Sequence, residues 1–285
     1  MTENVVSLFG DRDANLPEAR LDVLHPGRPE LTKPSSQALD LIGKPKAIMA
    51  IGLGATGKTT LLRWLCERAL ERSDDDLALA TVDPVNRELG HYFPAAMAPP
   101  TQDPAQVTAW LEQLLAMIME SRKSVALDFG GGDTTLARIL TEVPDLQQMM
   151  ESAGVEPVAL YPLTPRSSDL TPLAAMTQAG FRPRATALIL NEGRADSTRP
   201  PLQEFGHIRR HSVYKSAVAH GAVEIWMPRL YAAKAIEDRR IGFRQAVNGA
   251  MLEGGLGLGP FDRSRTRHWL TAMEDAFAPI ASWLP

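Results

Sequence analysis

Cysteine is nearly absent from this 285-residue sequence, which contains only Cys66. A lone cysteine cannot form an internal disulfide bond, and this fits a protein kept in a reducing cytosol. Cys66 lies in an apolar stretch with Leu62, Leu65 and Ala69 at helical spacing. That position predicts a buried core residue and not a nucleophile.

Long apolar runs and an excess of positive charge are also lacking. The sequence has no stretch of about 18 apolar residues, so we expect no transmembrane segment. Its first residues have neither a basic start nor a long apolar run, so we expect no secretory signal there and predict a cytoplasmic protein. The formal net charge of −4 argues against a surface devoted as a whole to nucleic acid.

Composition divides the sequence into three regions. Residues 1–44 are rich in proline, charge and small polar residues without apolar periodicity, which predicts a flexible N-terminal arm. Residues 45–253 have the apolar patterns of a globular domain. Residues 254–285 begin with a glycine-rich linker, and apolar side chains then recur every three or four residues. This spacing predicts an amphipathic helix that packs on the domain or on a partner.

Short apolar runs alternate with helical patterns through the central region. Most runs are continuously apolar, as expected of parallel strands that are buried on both faces. They are Ala47–Ile51, Leu77–Val82, Ser124–Leu127, Pro157–Tyr161, Ala185–Leu190 and Glu224–Met227. Helical stretches lie between several of them, for example Thr59–Arg72 and Pro104–Ser121. This alternation predicts an α/β fold with a doubly wound, mostly parallel sheet.

The first run leads directly into a glycine-rich segment that fits the pattern G-x-x-x-x-G-K-[ST]. Glycines let successive backbone N–H groups converge on an anion, and the following helix adds its positive end. Lys58 is placed to reach the β- and γ-phosphates of a nucleotide, and the Thr59 hydroxyl to bind Mg²⁺. The predicted nucleotide-binding residues of this loop are Gly52, Gly54, Ala55, Thr56, Gly57, Lys58, Thr59 and Thr60.

Aspartates follow the second and third runs, where ligands bind in parallel sheets. Asp83 is a candidate for orienting the attacking water or holding Mg²⁺, although an Asp-Pro turn also explains it. Asp128 fits an outer-sphere carboxylate for Mg²⁺. Three glycines follow it closely, and Gly131 is expected to approach the γ-phosphate. Lys58, Asp83 and Asp128 are therefore the predicted catalytic residues, and Thr59, Asp83 and Asp128 the predicted metal site.

Two further polar residues have alternative explanations. Asn191 ends the fifth run, where its amide suits contact with a base edge, but an asparagine in a turn is a comparable explanation. Asp133 is explained as well by capping a helix over residues 134–141 as by catalysis.

These residues together resemble the MinD/ParA group of dimerising P-loop ATPases. The shared features are the loop, an Asp-Pro after the second strand, Asp-x-Gly after the third and Asn after the fifth. The stretch Asp83-Pro84-Val85-Asn86, followed by Leu89 and Tyr92, is similar to TraL/MobD-type proteins of conjugative and mobilisable plasmids. The resemblance covers roughly residues 46–230.

The resemblance implies ATP and Mg²⁺ as ligands, a nucleotide-dependent homodimer and a protein partner from plasmid transfer or partition. It also implies that Lys58 and Thr59 contact phosphate and Mg²⁺, and that Asn191 contacts adenine. The sequence departs from the group at two positions: Leu53 stands where members usually have a second loop lysine, and Thr81 stands where many have an aspartate. Without that lysine, hydrolysis is expected to be slow or dependent on a partner.

Two other functions remain open from the sequence. One is a P-loop kinase for a small molecule, with Arg199 or Arg209 as a lid residue. The other is a regulatory module that binds nucleotide without hydrolysing it. Basic residues at helical spacing, Arg209, Arg210, His211 and Lys215, indicate either a solvated helix face or a local patch for DNA phosphates.

Overall fold

The protein is described by a computed structural model that covers residues 39–72, 77–83, 88–249 and 257–285. These residues form a sheet of six parallel strands in the order β2-β3-β1-β4-β5-β6. The strands are β1 (Lys46–Ala50), β2 (Leu77–Thr81), β3 (Ser124–Asp128), β4 (Glu156–Leu163), β5 (Ala185–Asn191) and β6 (Val223–Met227). The predicted α/β fold with a doubly wound parallel sheet is therefore confirmed.

Helices connect the strands and cover both faces of the sheet. Their bounds are α1 (Lys58–Glu71), α2 (Glu88–Tyr92), α3 (Pro104–Ser121), α4 (Thr135–Glu142), α5 (Leu146–Ser152), α6 (Thr171–Gln178), α7 (Pro201–Glu204), α8 (Gly206–Arg210), α9 (Ser212–Ala219), α10 (Ala233–Arg239), α11 (Phe243–Asn248) and α12 (Pro260–Phe277). Short 3₁₀ helices cover Ser167–Leu170, Glu192–Arg194 and Ala278–Trp283.

Two apolar cores lie on opposite faces of the sheet. All five residues of β1 are buried, and successive side chains point alternately into the two cores: Ala47 and Met49 into one, Ile48 and Ala50 into the other. Helices α3 to α6, α8 and α9 cover the first core, and α1, α2 and α10 to α12 cover the second. A central strand buried on both sides explains why the apolar runs do not alternate with polar residues.

The order of the strands sets the position of the site. Strand β1 lies between β3 and β4, so the loop after β1 is adjacent to the loop after β3. Because all six strands are parallel, both loops emerge at the same edge of the sheet. This places the glycine-rich segment beside the residues that follow Asp128.

The end of the chain packs on the second core. Trp269 of α12 packs against Phe243 of α11, and its indole N–H donates to the Pro228 carbonyl at 2.9 Å. The Trp283 indole donates to the Leu39 carbonyl at 2.8 Å, and Leu41 is fully buried. Residues 39–44, assigned to the arm from composition, thus lie against the body of the protein. The rest of the predicted arm, the Pro84–Asn86 stretch and the linker glycines 254 and 255 lie outside the described residues.

Cys66 is buried in α1, in agreement with the sequence prediction. Burial raises the pKa of the Cys66 thiol to about 12. The residue is therefore a neutral packing side chain at physiological pH and not an activated nucleophile.

Candidate functional site

The glycine-rich loop after β1 is held in its conformation by contacts that leave no space at Gly57. This residue precedes α1 and has φ of 101°, a conformation that side chains rarely adopt. A Cβ atom added there would lie 2.3 Å from the amide nitrogen of Asn191. Both backbone conformation and space therefore require glycine at this position.

The Lys58 ammonium group folds back onto its own loop. Its Nζ donates to the carbonyls of Gly52 at 2.9 Å and Leu53 at 2.8 Å, and only 7% of the residue is exposed. Burial lowers the pKa of Lys58, while Asp128 and then Asp83 act in the opposite direction through their charge. Phosphate oxygens would compete with these two carbonyls for the same donor.

The three threonines of the loop have two different environments. Thr56 is fully buried, and its hydroxyl donates to the Leu53 carbonyl at 3.0 Å, so it shapes the loop from inside. Thr59 and Thr60 are partly exposed and line a cleft together with Lys58. Their hydroxyls are therefore accessible to a bound ion or phosphate, whereas that of Thr56 is not.

The glycines after β3 pack directly on the other two loops. A Cβ added to Gly131 would lie 2.5 Å from the backbone nitrogen of Gly54, and one added to Gly130 would lie 2.5 Å from a carboxylate oxygen of Asp83. Asp128 ends β3 with 8% of its surface exposed and lines the same cleft. The structure thus brings Asp83, Asp128 and the β1 loop together, as the sequence predicted.

Asn191 is hydrogen-bonded to the glycine-rich loop after β1. It is buried at the end of β5, and its side-chain amide donates to the Thr56 carbonyl at 2.8 Å. Its amide oxygen accepts from the backbone N–H of Gly193 at 2.9 Å. Because both ends of the amide bond to the protein, this structure gives Asn191 a role in positioning the loop, and contact with adenine stays a prediction.

The cleft has a volume of about 130 Å³ and includes charged residues that the sequence did not single out. These are Arg63 of α1, Arg194 after β5 and Glu237 of α10. The Arg63 guanidinium stacks 3.5 Å from the centre of the Tyr92 ring and donates to the Ile241 carbonyl at 2.9 Å. These residues are far apart in the chain, so no contiguous motif marks them.

Arg166, which follows β4, is a further residue that sequence reasoning missed. It donates to the Gly54 carbonyl of the phosphate loop at 3.2 Å and pairs with buried Asp169 at 3.0 Å. Asp169 also accepts from the backbone N–H and the hydroxyl of Thr164, at 2.9 Å and 2.5 Å. This network ties the end of β4 to the phosphate loop, and a strand-terminal arginine is the only signal that the sequence offered for it.

The donor atoms around the cleft suit Mg²⁺ better than a softer metal. Thr59, Asp83 and Asp128 present oxygen atoms, and the described residues contain no cluster of three or more His, Cys, Asp or Glu side chains that could hold a metal. Mg²⁺ is commonly held by one or two carboxylates together with substrate phosphates. The residues present therefore fit Mg²⁺ that arrives with a nucleotide.

Several other predicted residues make structural contacts. Asp133 accepts from the backbone N–H of Thr135, the first residue of α4, at 2.6 Å, and it lies one residue before the N-cap, Thr134. Arg209 pairs with Glu224 at 2.8 Å, and Arg199 with Glu204 at 3.2 Å. Neither arginine lines the cleft. Pairing of Arg209 reduces the positive charge of the basic residues between Arg209 and Lys215, and DNA binding there stays a prediction.

Comparison with known proteins yields distant structural likenesses. No protein-family model and no curated protein matches the chain. It is similar to the solved structure of cell division protein FtsY from Thermotoga maritima, with 15% identity and a TM-score of 0.42 over 67% of this chain and 65% of that one. Chloroplast FtsY from Physcomitrella patens has 18% identity and a TM-score of 0.41 over 69% of this chain and 64% of that one. The chain spans slightly less than two thirds of each.

Within the described residues, none of the helices combines the length and apolar character needed to cross a bilayer.

Proposed function

We propose that this P-loop NTPase is a Mg²⁺-dependent ATP-binding switch of the MinD/ParA type, with slow or partner-stimulated ATP hydrolysis. The observation that carries the proposal is the meeting of three loops in one polar cleft, those after β1, β2 and β3. Backbone and carboxylate atoms of these loops are in direct contact at Gly54, Gly131 and Asp83. A change in the ligand bound by one loop would therefore alter its contacts with the other two loops.

Each predicted residue has a task in this proposal. Lys58 would exchange the carbonyls of Gly52 and Leu53 for the β- and γ-phosphates, with the loop N–H groups and the start of α1 as further donors. Thr59 and Asp128 would hold Mg²⁺, and Asp83 would orient water toward the γ-phosphate. When bound, ATP would supply the phosphoryl group, and Mg²⁺ would supply the positive charge that neutralises it.

The contact between Gly131 and Gly54 supports a switch in particular. A γ-phosphate bound by the loop N–H groups would lie beside the glycines after Asp128, since those glycines touch the loop backbone. Loss of the phosphate would then release the segment that contacts it. By its resemblance to MinD/ParA proteins, we expect this change to control a homodimer that acts with a protein partner in plasmid transfer or partition.

Light scattering of the full chain, combined with nucleotide titration, tests this proposal. We expect a dimer with Mg²⁺ and a slowly hydrolysed ATP analogue, and a monomer with ADP. Lys58→Ala is expected to weaken nucleotide binding by at least about tenfold, because a charge-assisted contact to phosphate is lost. Lys215→Ala removes an exposed lysine of α9 and serves as the control, with binding unchanged.

The outcomes separate the alternatives. A failure to bind either ATP or GTP with Mg²⁺ would exclude the proposal. Turnover that one small metabolite accelerates, with the chain remaining monomeric, would indicate a kinase. Nucleotide-dependent dimerisation without turnover, unchanged in Asp83→Ala, would indicate a non-hydrolysing regulatory module.

A further inference from the structure

A second cavity lies on the opposite face of the sheet from α1, between α6 and α9. It has a volume of about 460 Å³ and shares no lining residue with the nucleotide cleft. Its floor comes from strands β4 and β5, through Tyr161 and Thr186. We call it the α6–α9 cavity. Its volume falls within the range of about 300–1,000 Å³ that is typical of small-molecule sites.

Apolar side chains line much of the α6–α9 cavity, and Tyr161 and Thr186 place hydroxyl groups at its floor. Leu173 and Phe181 line it on the α6 side, and Val213 and Ala217 on the α9 side. Tyr161 also lines it, with 2% of its surface exposed, and no hydrogen-bond partner for its hydroxyl is found in the described part of the chain. Burial raises the pKa of Tyr161, so the hydroxyl is a neutral donor at physiological pH.

The rim of the α6–α9 cavity is basic. Helix α6 ends in a left-handed turn at Gly180, where Phe181 N–H donates to the Met176 carbonyl at 3.0 Å. This turn sends Phe181 into the cavity and leaves Arg182 and Arg184 exposed at its edge, on either side of buried Pro183. No aspartate or glutamate lines the cavity, and no ion pair of either arginine is found among the described residues.

We propose that the α6–α9 cavity binds a small amphipathic anion, meaning an apolar ring system or chain that carries one carboxylate or comparable acid group. The apolar body would fill the space between Leu173, Phe181 and Ala217, with a polar substituent accepting from the Tyr161 hydroxyl. The acid group would lie at the rim against Arg182 and Arg184. The two cavities are lined by separate residues, so this proposal is independent of the function proposed for the nucleotide cleft.

Two matched fluorescent probes test the proposal on the full chain. 8-Anilinonaphthalene-1-sulfonate has the aromatic body and an acid group, while N-phenyl-1-naphthylamine has the same body without the charge. We expect the anionic probe to bind one site per chain about fivefold more tightly than the neutral probe, as two partly exposed charge contacts would give. The double variant Arg182→Gln/Arg184→Gln should reduce that ratio to about one.

Filling variants locate the site. Ala174→Trp on α6 and Ser216→Trp on α9 each place an indole in the cavity, and each should weaken both probes at least about tenfold. Arg267→Gln, at an exposed arginine of α12, is the control and should change neither probe. Circular dichroism and a cooperative denaturant unfolding transition report that each variant is folded, and the second filling variant replaces the first if one does not fold.

Three results would overturn the proposal. One is equal affinity for the two probes in the wild-type protein, which would leave the basic rim without a role. Another is probe binding that both folded filling variants retain, which would place the probe elsewhere. The third is a loss of charge preference in Arg267→Gln as large as that in the double rim variant.

Discussion

The nucleotide cleft and the α6–α9 cavity differ in how tightly the backbone is packed around them. In the cleft, a Cβ atom added to Gly57, Gly130 or Gly131 would lie 2.3 to 2.5 Å from a neighbouring atom. Beside the cavity, Gly180 also has a positive φ, of 86°, but an added Cβ would have open space. A loop that must approach phosphate is held by close backbone contacts, whereas a cavity between two helices depends on side-chain size.

Substitution of Gly57 in the cleft and Gly180 beside the cavity tests the comparison and has the largest expected effect on stability. Gly57→Ala should lower the free energy of unfolding by about 3 kcal/mol or more, because it adds a clash with Asn191 to the strain of a positive φ. Gly180→Ala should cost only the strain, about 1–2 kcal/mol. Gly54→Ala is a further control with open space and no positive φ, and we expect a change within about 0.5 kcal/mol. Denaturant unfolding measures all three, and equal losses in Gly57→Ala and Gly180→Ala would show that local packing does not distinguish the regions.

The same contrast explains what the sequence could predict. The loop from Gly52 to Thr60 is contiguous, and Asp83 and Asp128 each directly follow an apolar run, so their meeting at one sheet edge followed from parallel strand order. Arg166, Arg194 and Glu237 come to the loop or cleft from separate parts of the chain. Only the tertiary structure brings them there.

Strand β4 departs from the rule that a proline ends a strand. The run Pro157–Tyr161 was predicted to end before Pro162, yet β4 continues to Leu163. Its pairing with β1 ends at Ala50 and Leu160, so Pro162 lies beyond the end of β1. A proline without an N–H group is tolerated where no neighbouring strand requires that donor.

The α6–α9 cavity has no sequence signature, because its walls are ordinary amphipathic helices.

Asn191→Ala gives a smaller effect and sharpens the comparison within the cleft. The variant leaves the buried Thr56 carbonyl without its 2.8 Å donor, so we expect unfolding to cost about 1–3 kcal/mol less free energy. Nucleotide affinity should fall by the same factor for ATP and GTP, because the amide acts on both through the loop carbonyl of Thr56. Titration with both nucleotides measures this. A selective loss of ATP binding would instead support the adenine contact that the resemblance implies.

Lys58 provides the smallest predicted effect, which depends on pH. Burial lowers the pKa of Lys58 in the folded protein below its ordinary value, so between the two values the unfolded chain binds more protons than the folded one. The contribution of Lys58 to the free energy of unfolding should therefore rise with pH across that window. It should level off above the ordinary lysine pKa, about 10.4. The measurement is the difference in unfolding free energy between wild type and Lys58→Met from neutral pH upward, without nucleotide. A difference that stays constant or falls would contradict the desolvated state of the ammonium group. Bound nucleotide should flatten the rise, because the negative charge of phosphate favours the charged form of the Lys58 amine.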